Sequence, residues 1–133
     1  MPFRTSHEKR QHFDVLAEAQ PLSIERSRMF DSSYLAIDAD YMYVLDEGTV
    51  VAVDSTTSKY VPYSLGASYG TGSGTPVGVT ITHYDMTYGA QAIAPAVHAT
   101  LLEDYCQIYG GAKGTISAAV KTALPLIMWR NIS

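Results

Sequence analysis

The pattern of apolar and polar positions divides the chain into an irregular first quarter, a β-rich middle and a mixed last third. From residue 34 to about residue 99, short β-branched and aromatic runs alternate with polar or glycine-containing turns, which is typical of antiparallel sheets. Pro62 indicates a sheet edge or a strand end, because proline has no backbone N–H to donate. The predicted strands are residues 41–45, 49–53, 59–63, 77–83 and 91–98, the last of them interrupted at Pro95.

The last third has two short segments with helical character. Thr100 and Glu103 fit a capping box, and the apolar residues that follow fall on one helical face. A strand is the competing interpretation here, because the run is short and aromatic. Further on, the pattern predicts a second helix over residues 116–123 with Thr115 as its cap, and a closing strand over residues 126–129.

Residues 1–33 keep neither a two-residue nor a helical period for long. They hold five of the nine basic residues of the chain, and their apolar residues are scattered. Two interpretations stay open: a frayed terminus, or an arm that becomes ordered only on a partner. We expect a single α+β, β-rich domain of short antiparallel strands with one or two short helices over residues 34–133, preceded by an extended N-terminal arm over residues 1–33.

Composition narrows the classes of function. A chain of 133 residues is long enough for one domain with a real core. Charged residues are 17%, below the quarter or so that is usual for a soluble domain, which suggests that a partner or an assembly covers part of the surface. The formal charge of −4 argues against general nucleic-acid binding.

The cysteine count and the hydropathy of the chain indicate the cellular compartment in which the protein is made. Cys106 is the only cysteine, so the chain has no internal disulfide, and we expect it to be a small buried apolar residue. We find neither a run of apolar residues long enough to span a membrane nor a secretory signal. Synthesis in a reducing cytoplasm fits these observations best.

A search for catalytic motifs yields nothing specific. The glycines of residues 66–74 lack the flanking strand and helix of a phosphate-binding loop and indicate a surface loop. His83 and Asp85 are two residues apart, with His98 further on, but a metal site needs a third converging ligand. We therefore expect no enzyme, no cofactor and no metal, and a binding or structural role.

Several short motifs follow one another in a distinctive order. Gly48-Thr49-Val50 opens a hairpin that turns at Asp54 and returns through Thr57-Ser58-Lys59 to Tyr63. After the glycine-rich loop come Pro76-Val77-Gly78-Val79, the Asp85-Met86-Thr87 turn and the strand that ends at Ala99, and then a late helix and a final strand. This order resembles that of the lambda-like bacteriophage head decoration proteins, and the similarity covers about residues 41–130.

The resemblance implies a virion structural protein with a small β-rich, β-tulip-like fold. It implies a homotrimer that binds the major capsid protein at three-fold sites on the outside of an expanded icosahedral shell. There it would act as cement against the pressure of packaged DNA, with the N-terminal arm adding a strand to shell segments. It implies no contact with nucleic acid and no contact with a membrane.

The same resemblance assigns roles to individual residues. Apolar and arginine side chains of the arm are expected to contact the shell, and large residues of the body are expected in the trimer interface or the core. The expected capsid-binding residues are Phe3, Arg4, Arg10, Phe13, Val15, Leu16, Arg26 and Arg28. The expected trimer or core residues are Tyr60, Pro62, Val77 and Trp129. The alternative from the residues is a head–tail connector or a small β-barrel adaptor, which would share the strand pattern without three-fold assembly.

Overall fold

A computed structural model of the chain describes residues 14–18, 22–54, 56–63, 75–109 and 111–131. This part of the chain is rich in short strands and contains one short α-helix and two 3₁₀ helices, at Ser32–Tyr34 and Glu103–Tyr105. The strands are β1 (Leu22–Ile24), β2 (Arg28–Met29), β3 (Val44–Leu45), β4 (Val50–Val53), β5 (Tyr60–Pro62), β6 (Pro76–Val79), β7 (Tyr84–Asp85), β8 (Ala92–Ile93), β9 (Ala96–Leu102) and β10 (Ile127–Arg130); the helix is α1 (Ala118–Ala123). The expected β-rich domain is confirmed at this level.

The main sheet is organised around β9, its longest strand. The strand order is β1-β9-β6-β4-β5, and β10 also pairs with β9. Ala96 pairs with both β1 and β6, and Ala99 pairs with both β1 and β10. Hence β1 lies along one edge of β9, while β6 and then β10 occupy successive parts of the other edge. All of these pairings are antiparallel except that of β10 with β9, which is parallel.

At β4 the main sheet is buried on both faces. In β4, Val50 and Ala52 point to one core while Val51 points to the other, as expected for alternating side chains of a strand. The first core also contains Val120 from α1. The second contains residues of the short β2–β8 and β3–β7 ladders, such as Ile93. This two-sided burial explains why residues 50–53 are apolar without interruption.

Residues expected to form an extended arm are instead part of the sheets. β1 and β2 pair with β9 and β8, so residues 22–29 belong to the body rather than to an arm. The chain also pairs with β9 before β1, since Val15 accepts a hydrogen bond from Leu102 N–H at 2.7 Å. Val15 itself is 0% exposed. The arm boundary at residue 33 is therefore wrong, because partners distant in sequence supply the hydrogen bonds that order this segment.

The helix predicted to begin at Thr100 is also wrong, and the competing strand is correct for its first part. β9 continues through Thr100 to Leu102, followed by a single 3₁₀ turn. The second helix is confirmed as α1, but its cap is Ser117 rather than Thr115: the Ser117 hydroxyl accepts a hydrogen bond from Val120 N–H at 3.4 Å. The closing strand is confirmed as β10.

The middle strands occur in the predicted order with different bounds: most are shorter, while residues 91–98 form two strands, β8 and β9, and β9 continues to Leu102. Residues 41–43 precede β3 as a loop, because the Asp38 carboxylate accepts the N–H groups of Asp40 and Met42 and fixes a turn there. Pro62 lies on β5, an end strand of the main sheet, as its missing N–H predicts. The glycine-rich loop predicted at residues 66–74 lies outside the described residues.

Candidate functional site

The residues considered for catalysis do not form a site. The Asp85 carboxylate is engaged in its own turn, where it accepts the N–H of Thr87 at 3.0 Å and the hydroxyl of Thr87 at 2.6 Å. His83 is exposed and His98 is half-buried. Among the described residues, no three histidine, cysteine or acidic side chains converge as metal ligands would.

Cys106 is buried, as its apolar surroundings in the sequence predict. Burial raises the pKa of its thiol from 9.0 to about 12, and the nearby Lys113 ammonium offsets only part of this rise. The thiolate is the nucleophilic form of cysteine, and this environment strongly disfavours it. The arrangement therefore suits a packing role for Cys106.

The residues expected to bind a capsid divide into three groups. Phe3, Arg4, Arg10 and Phe13 lie outside the described residues. Val15 is part of the first core and is fully buried, so its side chain is not available as an anchor on another protein. Leu16 is half-buried and packs against the same core. Arg26 is exposed and Arg28 is half-buried.

Arg28 is engaged within the chain. Its guanidinium lies 5.9 Å from the ring centroid of Tyr60 and donates a hydrogen bond of 3.1 Å to the carbonyl of Ser58. The Tyr60 hydroxyl in turn donates to the carbonyl of Arg26 at 2.6 Å. Arg28 therefore fastens the segment around β2 to the β4–β5 hairpin, a role that the sequence pattern did not predict.

The residues expected in the core or a trimer interface differ in their burial. Tyr60 and Pro62 are buried within the chain itself. Val77 and Trp129 are half-buried, each packed against one of the cores. The indole N–H of Trp129 is buried and has no acceptor in the part of the chain that the structure describes.

Strands β1 and β10, which lie on opposite edges of β9, carry exposed apolar side chains. Ile24 on β1 is 51% exposed, and Met128 on β10 is 58% exposed. Within the described residues each of these strands pairs along one edge only, with β9. An unpaired strand edge with apolar side chains is a surface on which another chain can add a strand.

A groove of about 500 Å³ opens on the side of the second core. One wall is the Ser32–Tyr34 helix, which Asp31 caps by accepting both the N–H and the hydroxyl of Ser33. Leu35 and Met86 line the groove and belong to the second core.

The opposite wall is built from the turn after β7. Tyr43 donates its N–H to the Thr87 hydroxyl at 3.0 Å and accepts the N–H of Met86 at 2.7 Å, which fixes this wall to β3. Two exposed tyrosines adjoin the groove in the chain: Tyr88, between two lining residues, and Tyr41, two residues before Tyr43.

Sequence reasoning missed this groove, although two signals for it were present. Asp31 with Ser33 and Asp85 with Thr87 share the same spacing of an acid and a hydroxyl residue, which favours a side-chain-capped turn. The ten tyrosines of the chain are the second signal, and Tyr41, Tyr43 and Tyr88 are three of them. Neither signal reveals that the two turns face each other, because this depends on the β2–β8 and β3–β7 pairings.

Comparison with protein-family models, with curated proteins and with solved structures finds no match for this chain. In the described residues, no helix has the length and apolar character needed to cross a membrane.

Proposed function

We propose that this protein is a virion structural protein: a trimeric decoration protein that binds the major capsid protein on the outer surface of an expanded icosahedral shell. It occupies three-fold sites and stabilises the shell against DNA pressure, without catalysis and without a cofactor. The fold is β-tulip-like in this proposal, and the protein is made in the host cytoplasm before it joins the virion.

The observation that carries the proposal is the agreement between motif order and elements. The hairpin motif that starts at Gly48 coincides with β4 and β5, and the next motif coincides with β6. The Asp85 turn starts at the last residue of β7, and the strand motif falls on β9, which continues beyond residue 99 to Leu102. The last two motifs coincide with α1 and β10. A resemblance built from short motifs gains weight when each motif falls on a separate element in the expected order.

The end strands support an assembly role. A small domain that exposes Ile24 and Met128 beside unpaired strand edges has surfaces suited to other chains. The low proportion of charged residues, 17%, agrees with coverage of part of the surface. In this proposal the β10 edge contributes to contacts between protomers.

The burial of Val15 and the position of Leu16 limit the shell-binding arm to the residues before Asp14. This segment contains Phe3 and Phe13 as apolar anchors and Arg4 and Arg10 as partners for shell carboxylates. Three such segments on one trimer would bind the shell jointly, so that avidity compensates for weak individual contacts.

Co-sedimentation with unexpanded and expanded heads of the source virus tests the proposal. We expect saturable binding to expanded heads alone, at three chains per three-fold site. Absence of binding to both kinds of head would overturn the decoration role. A complex with six chains in a ring would favour the connector alternative instead.

A truncation tests whether the N-terminal segment binds the shell independently of the folded body. Removal of residues 1–13 is expected to preserve the folded body, because it retains Val15 of the first core, and to abolish binding to heads. The matched variant keeps the segment but replaces Phe3 and Phe13 by alanine, and weaker binding is expected. Binding of the truncated protein at full stoichiometry would contradict the role of the arm.

A further inference from the structure

We propose that the β10 edge of one protomer pairs with the β1 edge of the next, so that three copies of this chain close into a ring. The β1 edge consists of residues 15–17 and β1, which pair with the same side of β9, and the β10 edge is the outer side of β10. This inference rests on the three-fold assembly of the proposed function, and it names the two surfaces that meet there.

Symmetry excludes pairing of β10 with itself in a trimer. Two identical patches face each other across a two-fold axis, whereas a three-fold axis brings together two different patches of neighbouring copies. The β10 edge therefore needs a second, different edge on the same molecule.

The β1 edge is the one that remains. Three strands end the main sheet in the part of the chain that the structure describes: β1, β5 and β10. The outer side of β5 is already occupied, because Asp31 N–H donates to the Tyr60 carbonyl at 2.9 Å and Phe30 forms a bridge with Tyr60. Over the same described residues, β1 and β10 pair with β9 alone.

The two edges match in strand direction. β1 runs antiparallel to β9 and β10 runs parallel to it, so β1 and β10 run in opposite directions. When the three-fold axis lies along the strands, all copies of β9 point the same way, and β10 of one protomer meets β1 of the next in antiparallel pairing. A ring closed in this way leaves neither edge unpaired.

The side chains of the two edges match as well. Ile24 on β1 and Met128 on β10 are exposed apolar residues. Neither Leu22–Ile24 nor residues 127–129 contain a charge or a proline, which are the residues that usually protect a free strand edge. Both edges are therefore suited to coverage by another strand.

Opposite charges lie at the corresponding ends of the two edges. Glu18 follows residues 15–17 on the β1 edge, and Arg130 ends β10. Their side chains are 47% and 54% exposed, and their contact within one chain is long, at 3.8 Å. In an antiparallel joint the end of β10 lies beside the start of β1, so Arg130 of one protomer can also donate to Glu18 of the next.

Disulfide cross-linking tests the joint. Met128→Cys is combined in turn with Leu22→Cys, Ser23→Cys or Ile24→Cys, while the native Cys106 is buried and stays in place. Because β9 separates β1 from β10 by about 10 Å, a disulfide within one chain is out of reach, since it needs Cβ atoms about 4 Å apart. We expect oxidation to yield covalent trimers for at least one pair, and no covalent product for any of the four single variants.

The outcomes distinguish the joint from the decoration role. A trimer that gives no covalent product with any pair, or covalent dimers of Met128→Cys alone, would overturn the joint and leave the decoration role in place. A wild type that is monomeric at all concentrations would overturn three-fold assembly and the joint with it.

Lysine variants test the two edges together. Ile24→Lys should abolish the trimer as completely as Met128→Lys, because charge on either strand opposes the same pairing. Thr82→Lys, at an exposed position outside both edges, is the control and should remain a trimer. Sedimentation of an equal mixture of the Ile24 and Met128 variants should show a heterodimer, since one joint can still form from the intact β10 of one and the intact β1 of the other. A mixture that stays monomeric, or an Ile24→Lys variant that stays trimeric, would contradict the inference.

Discussion

At the scale of the residue, Gly48 links the turn before β4 to the segment after the second 3₁₀ helix. Its φ is +80°, and a Cβ there would collide with the carbonyl oxygen of Tyr105. Gly48 N–H donates to the carbonyl of Thr80 at 2.7 Å, and its own carbonyl accepts Gln107 N–H at 2.8 Å. Glycine is required at this position both for the turn and for the close approach.

Replacement of Gly48 by alanine is expected to lower the free energy of unfolding by about 3 kcal/mol or more, through the clash and the left-handed φ together. Gly114→Ala is the matched control, because Gly114 also has a positive φ of +85° but its nearest neighbour, the Cα of Asp104, is 3.7 Å from an added Cβ. Urea unfolding of the two variants measures the loss of stability in each. Equal losses would contradict the role of the close approach.

Burial of the Cys106 thiol predicts that the free energy of unfolding depends on pH. The unfolded thiol ionises near pH 9, while burial keeps the folded thiol protonated up to a pKa of about 12. The folded state therefore holds one more proton between these values, and stability that is present below pH 9 is lost as the pH rises towards 12. At pH 10.5 this loss should reach about 2 kcal/mol relative to pH 8.

The measurement is urea unfolding of the wild type and of Cys106→Ala at both pH values. Because the variant lacks the thiol, the difference in stability between the two proteins should shrink as the pH rises. Other groups that titrate in this range contribute to both proteins and cancel. A difference that does not change with pH would show that ionisation of Cys106 is not linked to unfolding.

At the scale of the element, the outcome of sequence reasoning depends on where each strand finds its partners. The β4–β5 hairpin could be predicted because its partners are close in sequence and Asp54 fixes the turn: it accepts Thr56 N–H through its carboxylate at 2.9 Å. The pairing of the segment around Val15 could not be predicted, because its partner Leu102 is far along the chain. A scattered pattern of apolar residues therefore did not mean an extended arm.

The same reason explains the error after Thr100. A helix satisfies its own backbone, so a capping box followed by apolar residues is a local signal. In the structure, β1 and β10 satisfy the backbone of β9 from both sides, and tertiary pairing overrides the local preference. The groove was missed for the same cause, as its two walls are joined only through the short ladders.

The corrected position of the N-terminal segment can be measured. Val15→Ala is expected to lower the free energy of unfolding by about 2 kcal/mol, because it removes fully buried methyl groups from the first core. Ile24→Ala, at a side chain that is 51% exposed, should change it by less than about 0.5 kcal/mol. Equal effects in chemical denaturation would restore the view that residue 15 belongs to an arm.

At the scale of the whole molecule, the β10 edge is where we expect protomers to meet. Met128→Lys places a charge at an exposed position on this edge, so the free energy of unfolding should change by less than about 0.5 kcal/mol. Self-association should nevertheless be lost, because charges on an edge strand oppose the addition of another strand.

Sedimentation velocity provides the measurement, with the wild type expected as a trimer and the variant as a monomer. Ala90→Lys adds the same charge on an exposed loop before β8 and serves as the control. A trimer that persists in Met128→Lys would move the protomer contact to another surface. A monomeric wild type would remove the three-fold assembly from the proposal.

The pairing of β9 with both ends of the described chain has a consequence for engineering. Val15 and Arg130 both lie beside Leu102, on opposite edges of β9, and the carboxylate of Glu18 lies 3.8 Å from the Arg130 guanidinium. Two strands that flank a third are about 10 Å apart, so a linker of a few residues could join them. The topology thus favours circular permutation, with new termini opened in the exposed turn at Thr57. Any cargo fused after Arg130 would emerge beside Asp14 and would compete for space with whatever binds the residues before it.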